Sequence, residues 1–199
     1  MDVNNKEIVG RILSVIERDI VPLTRTGVAV GDKVFGAAIL RKDDLSLVVA
    51  ASNHETENPL WHGEVHTLKK FYEIPADQRP ATRDCIFVAT HEPCSLCLSS
   101  ITWTGFDNFY FLFGYEDTSD VLNIPHDLKI LQEVFRIENG DYAHQNAYWT
   151  SHGLLALVDQ LPDDQQAPLL TRVRDLETTY RELSDIYQAS KGGADIPLA

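Results

Sequence analysis

His62, Glu64, Cys94 and Cys97 are the residues of this 199-residue chain whose types and spacing could do chemistry together. They lie in two short segments, Trp61-His62-Gly63-Glu64-Val65 and Glu92-Pro93-Cys94-Ser95-Leu96-Cys97. One imidazole nitrogen and two thiolates are a donor set that Zn²⁺ accepts in a tetrahedron, and three protein ligands leave the fourth position to water. Cys94 and Cys97 stand at i and i+3, so the first turn of one helix puts both on one face. The positive end of that helix lowers thiol pKa and favours the thiolates a metal needs. Two thiolates also cancel the charge of the dication. Glu64, two residues past His62, points elsewhere around a helix and can face a metal-bound water without ligating the metal. From there a carboxylate can take a proton from that water and carry it to a bound substrate. Zn²⁺ is the cofactor this set requires.

Other uses of the same residues fit less well. His62 and His66 are spaced as in H-E-x-x-H, but the Glu is in the wrong position. A closed structural zinc needs a fourth ligand, for which Cys85, His66 or His91 could serve; Cys85, in an apolar run, is more simply a small core residue. A redox dithiol leaves His62 and Glu64 without a role. A non-catalytic zinc module would not require Glu64.

The flanking chain has to hold these segments. Apolar spacing predicts an amphipathic helix over 3–20 that Pro22 stops. The runs 34–40 and 45–51 read as a β-hairpin turning at Arg41-Lys42-Asp43-Asp44, followed by a loop over 52–59. A helix is expected over 61–72, a loop over 77–83, a buried strand over 84–90, a helix over 95–103 and a buried strand over 108–113. Farther on the pattern weakens: a helix over 125–135, an irregular stretch or short strand over 139–149, a helix over 150–161, a long helix over 165–189 and a frayed end over 191–199. This order implies an α/β fold, a three-layer α/β/α sandwich whose mixed sheet of about five strands carries helices on both faces. Residues 1–160 are expected to form the domain that holds the motifs, and 161–199 a helical C-terminal extension packed on it.

Composition narrows the partners. The net charge is −13 and hydrophobic residues make up 44%. Binding nucleic acid takes clustered Lys and Arg, and Lys69-Lys70 is the nearest approach to a patch. A small molecule is expected as partner rather than RNA or DNA. No apolar run is long enough to span a bilayer, and residues 1–11 lack the apolar core of a signal peptide. With three cysteines and no disulfide framework, a cytoplasmic location is expected.

The pattern H-x-E followed by P-C-x-x-C resembles the zinc deaminases, and the chain is similar to the cytidine deaminase-like superfamily, nearest to its guanine deaminase and tRNA adenosine deaminase branch. Phe35-Gly36-Ala37-Ala38-Ile39 resembles the P-F-G-A-V-I strand of guanine deaminases, with Val34 in place of Pro. Asn53 falls where that branch has an Asn that contacts the substrate ring, and Asn58-Pro59 resembles the D-P turn before the His motif. The run from Glu92 to Trp103 resembles E-P-C-P-M-C-L-G-A-I-Y-W. Gly63 replaces the usual Ala and loosens the helix start, Ser99-Ser100 replaces Gly-Ala, and the likeness stops after Gly114.

The resemblance implies a hydrolase that releases ammonia from a small aminated heterocycle, a free base such as guanine first. Cytosine, a nucleoside or another aminated azine, and a non-catalytic pseudo-deaminase, are the alternatives. It implies His62, Cys94 and Cys97 as metal ligands, Glu64 as the proton carrier, and Asn53, Gly63, Phe35 and Trp103 as substrate contacts. It also implies a homodimer.

Overall fold

The computed structural model describes residues 5–116, 125–191 and 196–198. Helix α1 (Asn5–Val15) continues through a π turn, Ile16–Ile20, into α2 (Val21–Val28). The expected stop at Pro22 is therefore absent. The Val21 N–H bonds to the Ile16 carbonyl five residues back, and Pro22 enters at the first turn of the next α-helical stretch. Its missing N–H costs little there.

Strands β1 (Gly36–Arg41) and β2 (Leu47–Ser52) form the expected hairpin. Helix α3 (Gly63–Glu73), β3 (Cys85–His91), α4 (Ser95–Trp103), β4 (Asn108–Phe113) and α5 (His126–Phe135) follow. Thr150–Gly153 is β5, Leu154–Val158 is α6, and Asp163–Ser190 is the long α7. The sheet order is β2-β1-β3-β4-β5. β1 pairs antiparallel with β2 and β3, while β3, β4 and β5 run parallel. The mixed five-stranded sheet is as expected, but its fifth strand lies within the range 150–161 predicted as a helix. Thr150-Ser151-His152-Gly153 is too short and too polar to show a strand period, and only pairing with Asn108–Phe111 makes it one.

Alternation along the strands builds the two cores. Ala38, Leu40, Ile86 and Val88 face α1, α2, α6 and α7. Ala37, Ile39, Cys85 and Phe87 face α3 and α4. Cys85 is thus a core residue. The long C-terminal helix is bound into the first layer: the Arg172 guanidinium donates to both Glu17 carboxylate oxygens, to the Gly10 carbonyl and to Ser14 Oγ. Its own Tyr180 and Tyr187 are buried in that layer. The end of the chain is not simply frayed, because Ile196 is buried.

Candidate metal centre

Two helix N-termini converge where parallel β3 and β4 end, the edge at which α/β sheets gather binding groups. His62 is the N-cap of α3 and Cys94 the N-cap of α4. The start of α3 lies almost on the backbone of β1: a Cβ on Gly63 would come within 2.7 Å of Gly36 Cα and 2.9 Å of Phe35 C. Glycine at position 63 is thus a condition of packing, where the sequence suggested only a loosened helix start. Gly63→Ala is expected to cost about 1–3 kcal/mol by overpacking. Thermal unfolding of the metal-free protein would show it.

The three donors lie as a tetrahedral metal would space them. Cys94 Sγ and Cys97 Sγ are 3.6 Å apart. His62 Nδ1 is 3.4 Å from the first sulfur and 3.8 Å from the second. Tetrahedral bonds of about 2.3 Å to sulfur and about 2.05 Å to nitrogen give edges of about 3.8 Å and 3.6 Å. Among the described residues no fourth His, Cys, Asp or Glu joins this group. His66 Nδ1 turns to the Ser52 carbonyl at 2.8 Å, and His91 Nδ1 lies 3.0 Å from Thr90 Oγ1. The donor set and its spacing fit Zn²⁺.

Glu64 is buried, with Oε2 3.2 Å from Cys97 Sγ. Burial and the negative Cys94 raise its carboxyl to about 7. Burial opposes a charged His62, but the hydrogen bond and charge of Cys94, helped by Glu55 and Glu64, outweigh it and lift the ring to about 9. The hydrogen bond from Cys97 and the neighbouring His62 hold Cys94 well below the usual thiol range. Burial and the Cys94 charge hold Cys97 well above it. Cys94 is therefore the natural thiolate of the pair.

A cleft of about 270 Å³ opens over His62 and Cys94. Phe35 lies on its wall, edge-on to His91 at 5.0 Å. Asn53 and Gly63 do not line it; they form the support behind it. Asn53 Oδ1 accepts the Gly63 N–H, and Asn53 Nδ2 donates to Glu55 Oε2 at 2.6 Å. With both ends of its amide engaged, Asn53 leaves the wall to Glu55. Trp103 is not at the site at all, being 90% exposed. Six residues past Cys97 turn it about 240° around α4 and carry it about 9 Å along the axis. With Trp61 and Tyr72 it lines a separate groove between α3 and α4.

Several residues that carry no local sequence signal also meet here. Asp127 and Ile130 of α5, with Ile196, Pro197 and Leu198, close the cleft, and Asp127 also reaches the recess around Glu64 and Cys97. His126 lines the cleft too, whereas His144 is exposed near Ser151 and His152 stacks on Tyr110. Tyr115 donates to the Pro93 carbonyl at 2.6 Å and Tyr142 to Glu92 Oε1 at 2.7 Å, which fixes the corner that presents Cys94.

Residues 20–113 match the family model of the cytidine and deoxycytidylate deaminase zinc-binding region. Among solved structures, a guanine deaminase from Nitrosomonas europaea is 19% identical with a TM-score of 0.51, over 85% of this chain and 84% of that one. A guanine deaminase from Bacillus subtilis is 23% identical with a TM-score of 0.51, over 67% of this chain and 80% of that one. At these identities the structural likeness shows the fold. No curated protein sequence matches. The resemblance to the cytidine deaminase-like zinc deaminases thus holds in both the family model and the fold.

Proposed function

We propose that this chain is a zinc-dependent hydrolase that releases ammonia from a small aminated heterocycle, a free base such as guanine before cytosine, a nucleoside or another aminated azine. The observation that carries it is the His62–Cys94–Cys97 triangle with the Glu64 carboxylate beside it, opening into a cleft large enough for one ring system. When bound, Zn²⁺ brings the pKa of water to about 7 and supplies a nucleophile at neutral pH. His62, Cys94 and Cys97 would hold it. Glu64 Oε2 accepts the proton of the attacking water and passes one to the ring nitrogen. A C–O bond forms at the amine-bearing carbon; Glu64 then takes the proton of the added hydroxyl as the carbonyl forms and gives it to the departing amine as the C–N bond breaks. Phe35 provides a flat wall for the ring, and the apolar side chains of Ile130, Ile196 and Leu198 exclude bulk water.

Asp127 is the group we assign to reading the ring. Burial first, and then the negative Cys94, push its carboxyl well above the ordinary range. It can therefore offer a proton or accept one from a ring N–H or exocyclic amine. Asp127→Ala is expected to keep its zinc and lose about 10- to 100-fold in kcat/KM, the size of one hydrogen bond to a charged group. An unchanged kcat/KM would remove Asp127 from the site.

The deciding experiment is ammonia release across guanine, cytosine, adenine, aminated pterins and triazines, and their nucleosides, before and after chelation. Turnover lost on chelation and restored by Zn²⁺ supports the proposal. A zinc-loaded protein silent across the whole panel would favour the non-catalytic module.

The net charge of −13 favours this neutral small-molecule class over nucleic acid. The groove of exposed Trp103 with Tyr72, Leu68 and Leu96 supports a homodimer formed across α3 and α4. In this reading residues 1–160 form the catalytic domain, and 161–199 are a helical extension packed on it. Among the described residues no helix is long and apolar enough to cross a membrane, and a cytoplasmic location is part of the proposal.

A further inference from the structure

We propose that Glu55 is the positioning residue for His62: its carboxylate holds the Nε2 edge of the ring, so that Nδ1 is the lone pair offered to the metal. The inference rests on the zinc assignment and deepens it. The two edges of the His62 ring face different partners. Nδ1 faces the two sulfurs at 3.4 and 3.8 Å, and Nε2 faces Glu55 Oε1 at 3.7 Å, an ion-pair distance. A neutral imidazole has one N–H and one lone pair, and the partner of one nitrogen decides which is left at the other. A carboxylate at Nε2 keeps the N–H there. Metal-ligating histidines commonly have a carboxylate as the partner of their second ring N–H, which orients the ring and raises its basicity.

Glu55 is built into place rather than resting on the surface. Its side chain is 2% exposed, and Lys33, whose side chain is 7% exposed, donates through Nζ to the same Oε1 at 2.8 Å. Asn53 Nδ2 donates to the other oxygen. The loop that carries Glu55 is strapped to the residue before Lys33: Asp32 Oδ1 accepts the Thr56 N–H at 2.8 Å, and Asp32 Oδ2 lies 3.3 Å from His54 Nδ1. A buried carboxylate costs free energy unless it is paired and hydrogen-bonded. Lys33 balances this one, and Asn53 couples it to the Gly63 N–H at the first turn of α3. One group thus fixes the ring of His62 and the start of the helix that carries Glu64.

A purely structural Lys33–Glu55 strut would predict a loss of fold stability alone, so the test reads metal affinity directly. Zn²⁺ affinity is measured by chelator competition for the wild type, for Glu55→Gln, and for the charge-neutral double variant Lys33→Met with Glu55→Gln. The melting temperature of each metal-free protein and the ligand-field spectrum of each Co²⁺-loaded protein are recorded alongside. A glutamine has one acceptor oxygen and cannot serve both Asn53 and His62. Both variants are expected to bind Zn²⁺ about 10- to 100-fold more weakly, with an altered Co²⁺ spectrum. The double variant, with no unpaired buried charge, is expected to melt close to wild type. A double variant with wild-type affinity and spectrum would overturn the role of Glu55 while leaving the zinc assignment standing. A wild type that takes up no stoichiometric Zn²⁺ would overturn the zinc assignment itself, and the inference with it.

Discussion

Glu64→Gln is expected to leave zinc content at wild-type level and to lower ammonia release by about 10²–10⁴-fold, the range of general acid–base catalysis. The substitution is nearly isosteric, so the buried space beside Cys97 Sγ stays filled. What disappears is the ability to take a proton and return it. The carboxyl sits at about 7, raised by burial and by the Cys94 charge, and that poise near neutral pH suits a group that must both accept and donate. An amide can do neither. Three donors whose spacing matches a zinc tetrahedron do not include this carboxylate, so a glutamine here should not disturb the metal. Simultaneous measurement of zinc by atomic absorption and of ammonia by a coupled assay separates the two functions. Turnover within tenfold of wild type would remove Glu64 as the proton carrier, and zinc lost along with activity would show that it helps hold the metal.

The metal set was legible in the sequence because each of its members is fixed by local geometry. Cys94 and Cys97 need only one helical turn, and His62 and Glu64 one helix start. The hairpin, α4 and β4 were legible for the same reason, since their periods are strong and short-range. What the sequence hid depends on contacts between distant segments. Gly63 looked like a loosened helix start, because its need arises from Gly36, which lies across the sheet edge. Asn53 sits at the expected position, yet Glu55, two residues on, draws its amide away from the cleft. Trp103 fits the motif run and still points to solvent, because helical phase, not motif membership, sets its direction. Asp127 carries no local signal at all. It belongs to an ordinary amphipathic helix, and only the packing of α5 over the recess brings it to Glu64 and Cys94. β5 was hidden in the same way, being a strand by virtue of its neighbour.

Cys94→Ser should divide the centre along the other line. Structural zinc sites release roughly 10–16 kcal/mol over four ligands, so one ligand is worth about 10²–10³-fold in affinity. Cys97 would bind Zn²⁺ as a thiolate, and so would Cys94. A serine hydroxyl at that place stays protonated and is a poor zinc ligand. Cys97 and His62 would remain, two donors where a catalytic zinc needs three. The protein is expected to purify with little zinc and to release little ammonia, and excess Zn²⁺ should restore part of the activity. That behaviour is the reverse of Glu64→Gln, which keeps the metal and loses the turnover. If Cys94→Ser instead purified with one zinc per chain, the triangle of donors would not be the metal site, however well its edges match. If it lost the metal but kept its activity, the metal would be structural and the deamination chemistry would have to be sought elsewhere in the cleft.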